Sequence, residues 1–332
     1  MSGVASASGA RNAWLTGAAW RALFRDRPMI PLLFLLAILV VVSELARPGI
    51  VGPEWIGVIL RAAVLLAILA GCQTLTMLTG GIDLSVGAVG SMAGFVVASF
   101  AAGAGWPTGV VVALIAAALA GFVTGIGVGV FRVHPLIMTL GMSFVILGLA
   151  NVWQLQSVVT STGVPREFRS LGSQAYAEVV PFSLVVFVPV AALILVGLKR
   201  TGYGRLLYAI GDNPIAARLS GARSWQILVV LYVISALLAA IAGFLYSGYT
   251  NVASVTLVDS AVLPSVAAAV IGGTSILGGR GGYGGTIVGA LILTVVSSLL
   301  SSLGYPEAVR QVLFGAIIVA VAAAYTRVTG ET

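Results

Sequence analysis

The chain has very little charge for its length. Of its 332 residues, only 8% are charged and 59% are hydrophobic, and the mean hydropathy is +1.11. A soluble globular chain carries about 25% charged residues because its surface faces water. The charges here are too few to cover such a surface, so the sequence predicts a protein that largely faces lipid. Because the apolar segments are continuous and do not alternate, we expect helices and not a barrel of strands.

Cysteine, histidine and lysine each occur once, as Cys72, His134 and Lys199. One cysteine excludes an internal disulfide and a cysteine-based metal cluster. One histidine excludes a histidine-rich metal site within one chain. A P-loop needs GxxxxGK[ST], and Lys199 is followed by Arg200, so this chain cannot hydrolyse ATP by that mechanism. We therefore expect no catalytic residue, no metal and no cofactor, and any pumping must use an ion gradient or another subunit.

Ten apolar segments are long enough to cross a bilayer, which takes about 20 residues. We expect them near residues 28–46, 55–79, 84–103, 108–130, 136–156, 181–198, 225–247, 262–278, 285–303 and 308–325. The eighth and ninth are the least regular, because GGTSILGGRGGYGG is too rich in glycine for a plain helix. The predicted fold class is an all-α polytopic membrane protein of about ten transmembrane helices with glycine-rich broken segments.

The basic residues predict the orientation of these segments, since cytoplasmic loops carry an excess of lysine and arginine. With both termini cytoplasmic, the outside loops hold only Arg47, Arg166 and Arg169. The inside segments then hold twelve basic residues, namely Arg11, Arg21, Arg25, Arg27, Arg132, Lys199, Arg200, Arg205, Arg218, Arg223, Arg280 and Arg327. This asymmetry accounts for the net charge of +7 without a nucleic-acid partner.

The chain divides into three parts by composition. We expect a basic cytoplasmic N-terminal segment at 1–27, one transmembrane domain at 28–325 with a cytoplasmic loop at 199–224, and a cytoplasmic tail at 326–332. The polar, basic start followed by a long apolar run does not resemble a cleavable leader.

The segment GGIDLSVGAVGSMAG, residues 80–94, carries an acid between two closely spaced apolar segments. A carboxylate at bilayer depth costs about 2.5–3.5 kcal/mol, so Asp83 needs partners or a watery cavity. Gln73, Thr76, Gly80 and Asp83 fall at helical spacing on one face, which would line a hydrophilic path. Alternatively, Asp83 caps a helix that begins near Leu84; the two roles are compatible. Further candidate path residues at the glycine-rich breaks are Ser85, Thr274 and Ser275.

A second polar group lies in the fifth segment. Asn151 and Gln154 are three residues apart and therefore share a helix face. Neutral amides donate and accept hydrogen bonds without preferring a charge, which suits a solute rich in hydroxyl groups. The alternative is that they form hydrogen bonds between helices.

Glycine recurs in two patterns. TGGIDLSVG at 79–87 and IGGTSILGG at 271–279 each place a Gly-Gly pair six residues ahead of another glycine. This indicates either an internal duplication, with matching broken segments in two halves, or only the abundance of glycine. Gly121, Gly125 and Gly129 recur every four residues, which predicts close packing between helices.

The loop at 199–224, KRTGYGRLLYAIGDNPIAARLSGARS, is basic and compatible with water. Asp212, Asn213 and Pro214 predict a helix start, because proline suits the first turn of a helix. The helix continues over 215–219, and Gly221 is a predicted stop. We expect Ala216 and Ala217 to form an exposed small face that fits a cleft on a soluble partner. The alternative is a lone interfacial helix.

Three stretches, in order, resemble the membrane permease of a bacterial ABC sugar importer of the ribose-type branch. They are GGIDLSVGAVGSMAG, YAIGDNPIAARLSGA and AAAVIGGTSILGGRGGYGGTIVGALI, and the likeness extends from about Pro28 to Tyr325. The resemblance implies a multi-pass protein of the bacterial inner membrane that translocates a monosaccharide. It also implies a second, identical permease chain, a cytoplasmic ABC ATPase that binds ATP and Mg²⁺, and a periplasmic or lipid-anchored sugar-binding protein.

The second stretch matches the segment with which such permeases contact their ATPase. The resemblance therefore implies that the residues that contact the ATPase are Gly211, Asp212, Asn213, Pro214, Ala216, Ala217, Arg218 and Gly221. Asp212 stands where the family commonly has glycine, a change that a solvent-facing turn tolerates. Two alternatives stay open: a secondary transporter that uses Asp83 as its ion site, and an importer of branched-chain amino acids or nucleosides.

Overall fold

The computed structural model describes residues 29–101, 103–156 and 163–329, and within them the chain is almost entirely helical. The helices are α1 (Met29–Ala46), α2 (Pro53–Met77), α3 (Val86–Ala101), α4 (Trp106–Gly129), α5 (Pro135–Gln156), α6 (Arg166–Ser173), α7 (Leu184–Arg200), α8 (Gly202–Asp212), α9 (Pro214–Leu219), α10 (Ser224–Thr250), α11 (Val262–Ile271), α12 (Tyr283–Ser302) and α13 (Glu307–Thr329). One antiparallel pair of short strands, β1 (Ala175–Tyr176) and β2 (Val180–Pro181), lies between α6 and α7. The predicted all-α fold is confirmed, while the predicted segment 1–27 and residues 330–332 of the tail lie outside the described residues.

Six of the described helices are long and apolar enough to cross a bilayer: α1, α2, α4, α5, α10 and α12. The pair α7 and α8, bent by 69° at Thr201, makes a seventh candidate if it counts as one span. A helix corresponds to every one of the ten predicted segments, but α3 has 16 residues and α11 only 10. At 1.5 Å per residue, ten residues reach about 15 Å, half of the hydrocarbon thickness. The count of ten complete spans therefore stays a prediction.

The long helix α10 packs against α2, α3 and α4. Its contact with α4 depends on the predicted small-residue repeat, since a Cβ on Gly125 would lie 2.6 Å from the Cα of Val229. Gly121 and Gly129 approach the backbone of α10 in the same way. The predicted role of these glycines in close helix packing is confirmed.

Helix α2 lies between two groups of helices. On one side it contacts α10, and on the other it contacts α11 and α12. Its middle and end are buried from Ala63 to Met77. By contrast, α1 and α5 expose large apolar side chains such as Phe34, Phe144 and Leu155, as a surface in contact with lipid requires. The core thus centres on α2 and α10, and the polar groups described next lie between these two helices.

Candidate transport path and coupling site

The segment between α2 and α3 is non-helical, and Gln73 holds its backbone in place. The Gln73 side-chain amide donates from Nε2 to the carbonyl oxygen of Asp83 at 2.8 Å. Its Oε1 accepts from the amide of Asp83 at 3.2 Å. One side chain of α2 therefore satisfies both backbone groups of Asp83, as broken backbone in an apolar interior requires.

The carboxylate of Asp83 is 2% exposed and accepts hydrogen bonds from two serines. Oδ1 accepts from the Ser85 hydroxyl at 2.6 Å and from the Ser85 amide at 3.0 Å, and Oδ2 accepts from the Ser235 hydroxyl of α10 at 2.7 Å. Helix α3 begins at Val86, so the Ser85 amide that donates to Asp83 lies immediately before the helix and not in its first turn. Three hydrogen bonds offset part of the cost of burying this group.

Thr139 of α5 forms a third attachment to the same segment. Its hydroxyl accepts from the Leu84 amide at 3.0 Å and lies 3.2 Å from the Ile82 carbonyl, to which it donates. Nearby, the buried hydroxyl of Tyr232 has no hydrogen-bond partner among the described residues. Nothing in the sequence distinguishes Thr139, Tyr232 and Ser235, since each is a lone hydroxyl in an apolar helix. Serine and threonine there usually bond their own backbone.

The structure brings four predicted path residues together, because Gln73, Thr76, Asp83 and Ser85 all lie at this break. All four are buried, so none of them lines an open channel in this conformation. The Thr76 hydroxyl donates to the Cys72 carbonyl of its own helix at 3.1 Å, so its proton is used within α2.

The second break, between α11 and α12, contacts the first one. The amide of Gly279 donates to the carbonyl of Leu78 at 3.0 Å. Thr274 and Ser275 are buried in this second segment, and the Thr274 hydroxyl has no partner among the described residues. Each glycine pattern thus lies between two helices, and the two breaks contact each other at Leu78 and Gly279.

Asn151 and Gln154 lie apart from these residues. Both are exposed on α5, and the Asn151 amide donates to the Leu147 carbonyl of its own helix at 2.8 Å. Twelve residues separate Asn151 from Thr139, about 18 Å along the helix. Within one chain, the geometry therefore does not join the two predicted polar groups.

The predicted short helix in the basic loop is confirmed as α9. Asn213 is its N-cap, and Oδ1 accepts from the amides of Ile215 at 3.1 Å and Ala216 at 2.9 Å. Pro214 occupies the first turn. Gly221 has a φ of +85°, the left-handed conformation expected at a helix stop.

The prediction of an exposed small face on α9 is wrong for Ala217. This residue is only 7% exposed and packs into the apolar core, while Ala216 is exposed. The exposed apolar groups are Ile215 and Leu219, at 65% and 84% exposure. They are four residues apart and so share one face of the helix.

Gly211, just before α9, connects this surface to both breaks. A Cβ on Gly211 would collide with the Leu78 carbonyl and would lie 2.5 Å from the amide of Gly279. The Tyr208 hydroxyl also donates to the carbonyl of Gly281 at 3.0 Å. The end of α8 therefore touches the first and the second broken segment at once.

These features are those of a multi-pass membrane protein: apolar helices, two broken segments in direct contact, and an exposed capped helix linked to them. Residues 56–322 match the family described as the permease component of branched-chain amino acid transport systems, and the chain belongs to that family. The predicted resemblance to importer permeases is thereby confirmed.

Curated relatives align over most of their length. A fructose import permease of Rhizobium meliloti is 32% identical over 294 residues, which cover 85% of this chain and 82% of the relative. A ribose import permease of Escherichia coli K12 is 35% identical over 309 residues, with coverages of 90% and 92%. An autoinducer 2 import system permease of Escherichia coli K12 is 30% identical over 291 residues, with coverages of 86% and 84%. No solved structure matches the chain.

Proposed function

We propose that this chain is the permease subunit of an ATP-driven importer that carries a monosaccharide across the bacterial inner membrane. The observation that carries the proposal is the link from α9 through Gly211 to both broken segments. A separate ATPase subunit supplies the energy, since the sequence has no P-loop. The sugar relatives support a monosaccharide of the ribose or fructose kind.

In the proposed mechanism, two copies of the chain form the path and the ATPase binds the exposed face of Ile215 and Leu219. ATP binding moves α9, and Gly211 transmits the movement to the Leu78 carbonyl and to Gly279. The two breaks then shift relative to each other, so that the path opens alternately to the two sides. A binding protein delivers the sugar from outside.

The secondary-transporter alternative fits the Asp83 site less well. Three hydrogen bonds from Ser85 and Ser235 already satisfy its carboxylate within the chain, and none of these partners is a second ionisable group. The buried polar side chains of the two breaks are the Asp83 carboxylate and the hydroxyls of Ser85, Thr274 and Ser275, whereas the one arginine there, Arg280, is exposed. A neutral sugar rich in hydroxyl groups suits these buried groups better than a zwitterion does.

The direct test is a pull-down of the tagged full-length chain from native membranes. We expect a P-loop ATPase to co-purify with the wild type and to be lost from the double variant Ile215→Ser, Leu219→Ser. The matched control is Val180→Ser, Val252→Ser, which removes two exposed apolar side chains on the predicted outer side. If the chain purifies without an ATPase and takes up solute under an ion gradient, the proposal is wrong.

A further inference from the structure

Three arginines from different segments line one cavity of about 630 Å³. Arg132 lies in the turn between α4 and α5, Arg218 lies on α9, and Arg223 immediately precedes α10. The residues that line this cavity include no carboxylate. Among the described residues, the one ion pair joins Arg310 to Glu307, so none of the three guanidinium groups is neutralised there. The cavity is therefore an anion-attracting concavity and not a set of paired surface charges.

The inner wall of the cavity offers a further donor. The hydroxyl oxygen of Ser224 is buried and has no hydrogen-bond partner among the described residues. Ser224 is also the first residue of α10, a helix of 27 residues whose positive dipole end faces this region. A phosphate group accepts hydrogen bonds from guanidinium and hydroxyl donors alike and binds arginine in a bidentate way.

The outer edge of the cavity is apolar. Val130 and Trp225 line it with large exposed surfaces, and Phe131 beside them is 73% exposed. These residues follow the end of α4 and begin α10, where membrane-spanning segments reach the interface and tryptophan is commonly found. A ligand that fills both the arginine-lined part and the apolar edge of the cavity must carry an anionic group attached to apolar chains.

We propose that this cavity binds the phosphate headgroup of an anionic phospholipid, with the acyl chains against Val130, Phe131 and Trp225. Basic pockets between membrane helices on the cytoplasmic side suit such headgroups. The site rests on the predicted cytoplasmic orientation of the loops but not on the transported solute. Because Pro214 and Arg218 of α9 line the cavity, a bound lipid also braces the helix that we assign to the ATPase.

The test uses the purified full-length chain in lipid nanodiscs and lipids with brominated acyl chains, which quench nearby tryptophan. The signal of Trp225 is the difference between the wild type and Trp225→Phe. We expect brominated phosphatidylglycerol to quench Trp225 at lower mole fraction than brominated phosphatidylcholine. Each arginine should contribute about a fivefold preference, so Arg132→Gln, Arg218→Gln and Arg223→Gln together should abolish it.

The matched control is Lys199→Gln, Arg200→Gln, Arg205→Gln, which removes the same number of positive charges from residues that do not line this cavity. It should keep the preference. The proposal is wrong if both triple variants lose the preference for phosphatidylglycerol equally, or if the wild type shows no such preference. The comparison of the two lipids in the wild type is decisive even if a variant fails to fold. Relief of quenching by inorganic phosphate or glycerol phosphate identifies a soluble anion as the ligand instead. If the triple variant of Arg132, Arg218 and Arg223 no longer co-purifies with the ATPase but keeps its lipid preference, these arginines contact a protein. That result also contradicts the lipid proposal.

Discussion

The hydroxyl of Ser235 donates a 2.7 Å hydrogen bond to the carboxylate of Asp83, across 152 residues of sequence. Ser235 is fully buried in α10, and Asp83 lies in the break between α2 and α3. Helix α10 begins five residues after the end of α9, at Ser224. The hydrogen bond therefore joins the helix that follows the proposed ATPase contact to the acid in the first break.

Replacing Ser235 with alanine should lower the free energy of unfolding by about 1–3 kcal/mol, since one oxygen of a buried carboxylate loses its donor. Thermal or denaturant unfolding of the purified chain in detergent measures this change. The control is Ser143→Ala, whose exposed hydroxyl bonds only its own helix. Equal effects of the two substitutions would show that the Asp83 link adds no stability.

Replacing Asp83 with asparagine should reduce ATP-driven uptake, because an amide cannot accept from Ser85 and Ser235 in the same way. It should leave uptake in response to a proton or sodium gradient at background, as in the wild type. Solute uptake is measured in proteoliposomes that contain the chain, the ATPase and the binding protein. They are energised first with ATP and then with each ion gradient. Gradient-driven uptake that disappears in Asp83→Asn would favour the secondary-transporter alternative.

Replacing Gly211 with alanine should uncouple ATP hydrolysis from transport. The added Cβ would collide with the Leu78 carbonyl and force apart the contact between α8 and the first break, while Ile215 and Leu219 stay exposed. We expect the ATPase still to co-purify, with uptake reduced at least tenfold. Gly197→Ala is the control, since a Cβ there meets nothing within 4 Å. Normal uptake by Gly211→Ala would exclude this contact as the link.

Replacing Asn213 with alanine should weaken α9 by about 1 kcal/mol, the usual cost of losing an N-cap. Since Asn213 is exposed, the expected consequence is less ATPase recovered and little change in the unfolding of the whole chain. Asn213→Asp should restore recovery, because aspartate caps a helix equally well. Equal recovery with alanine and aspartate would mean that the cap does not contribute to ATPase binding.

The features that the sequence predicted correctly are local ones. Helix α9 follows from Asn213, Pro214 and Gly221, which act within a few residues of one another. The close packing of α4 on α10 follows from a regular glycine spacing. In both cases the chemistry that decides the structure lies within one short stretch of chain.

The features that the sequence did not predict depend on distant contacts. Ser235 bonds Asp83 and Thr139 bonds its neighbours Ile82 and Leu84, both from other helices. Nothing in their own segments distinguishes these hydroxyls from others. Ala217 was expected to be exposed because small residues suit a docking face, but the packing of α9 against the core buries it. Asn151 and Gln154 share a face, as their spacing requires, yet spacing does not decide whether that face points inward.

Asp83 forms more hydrogen bonds with α2 than with α10. Gln73 holds both backbone groups of Asp83, whereas α10 contributes the single hydroxyl of Ser235. A rearrangement that separates the two helices breaks one bond on the α10 side and leaves the pair on the α2 side intact. We therefore expect the first break to move with α2 whenever α2 and α10 separate.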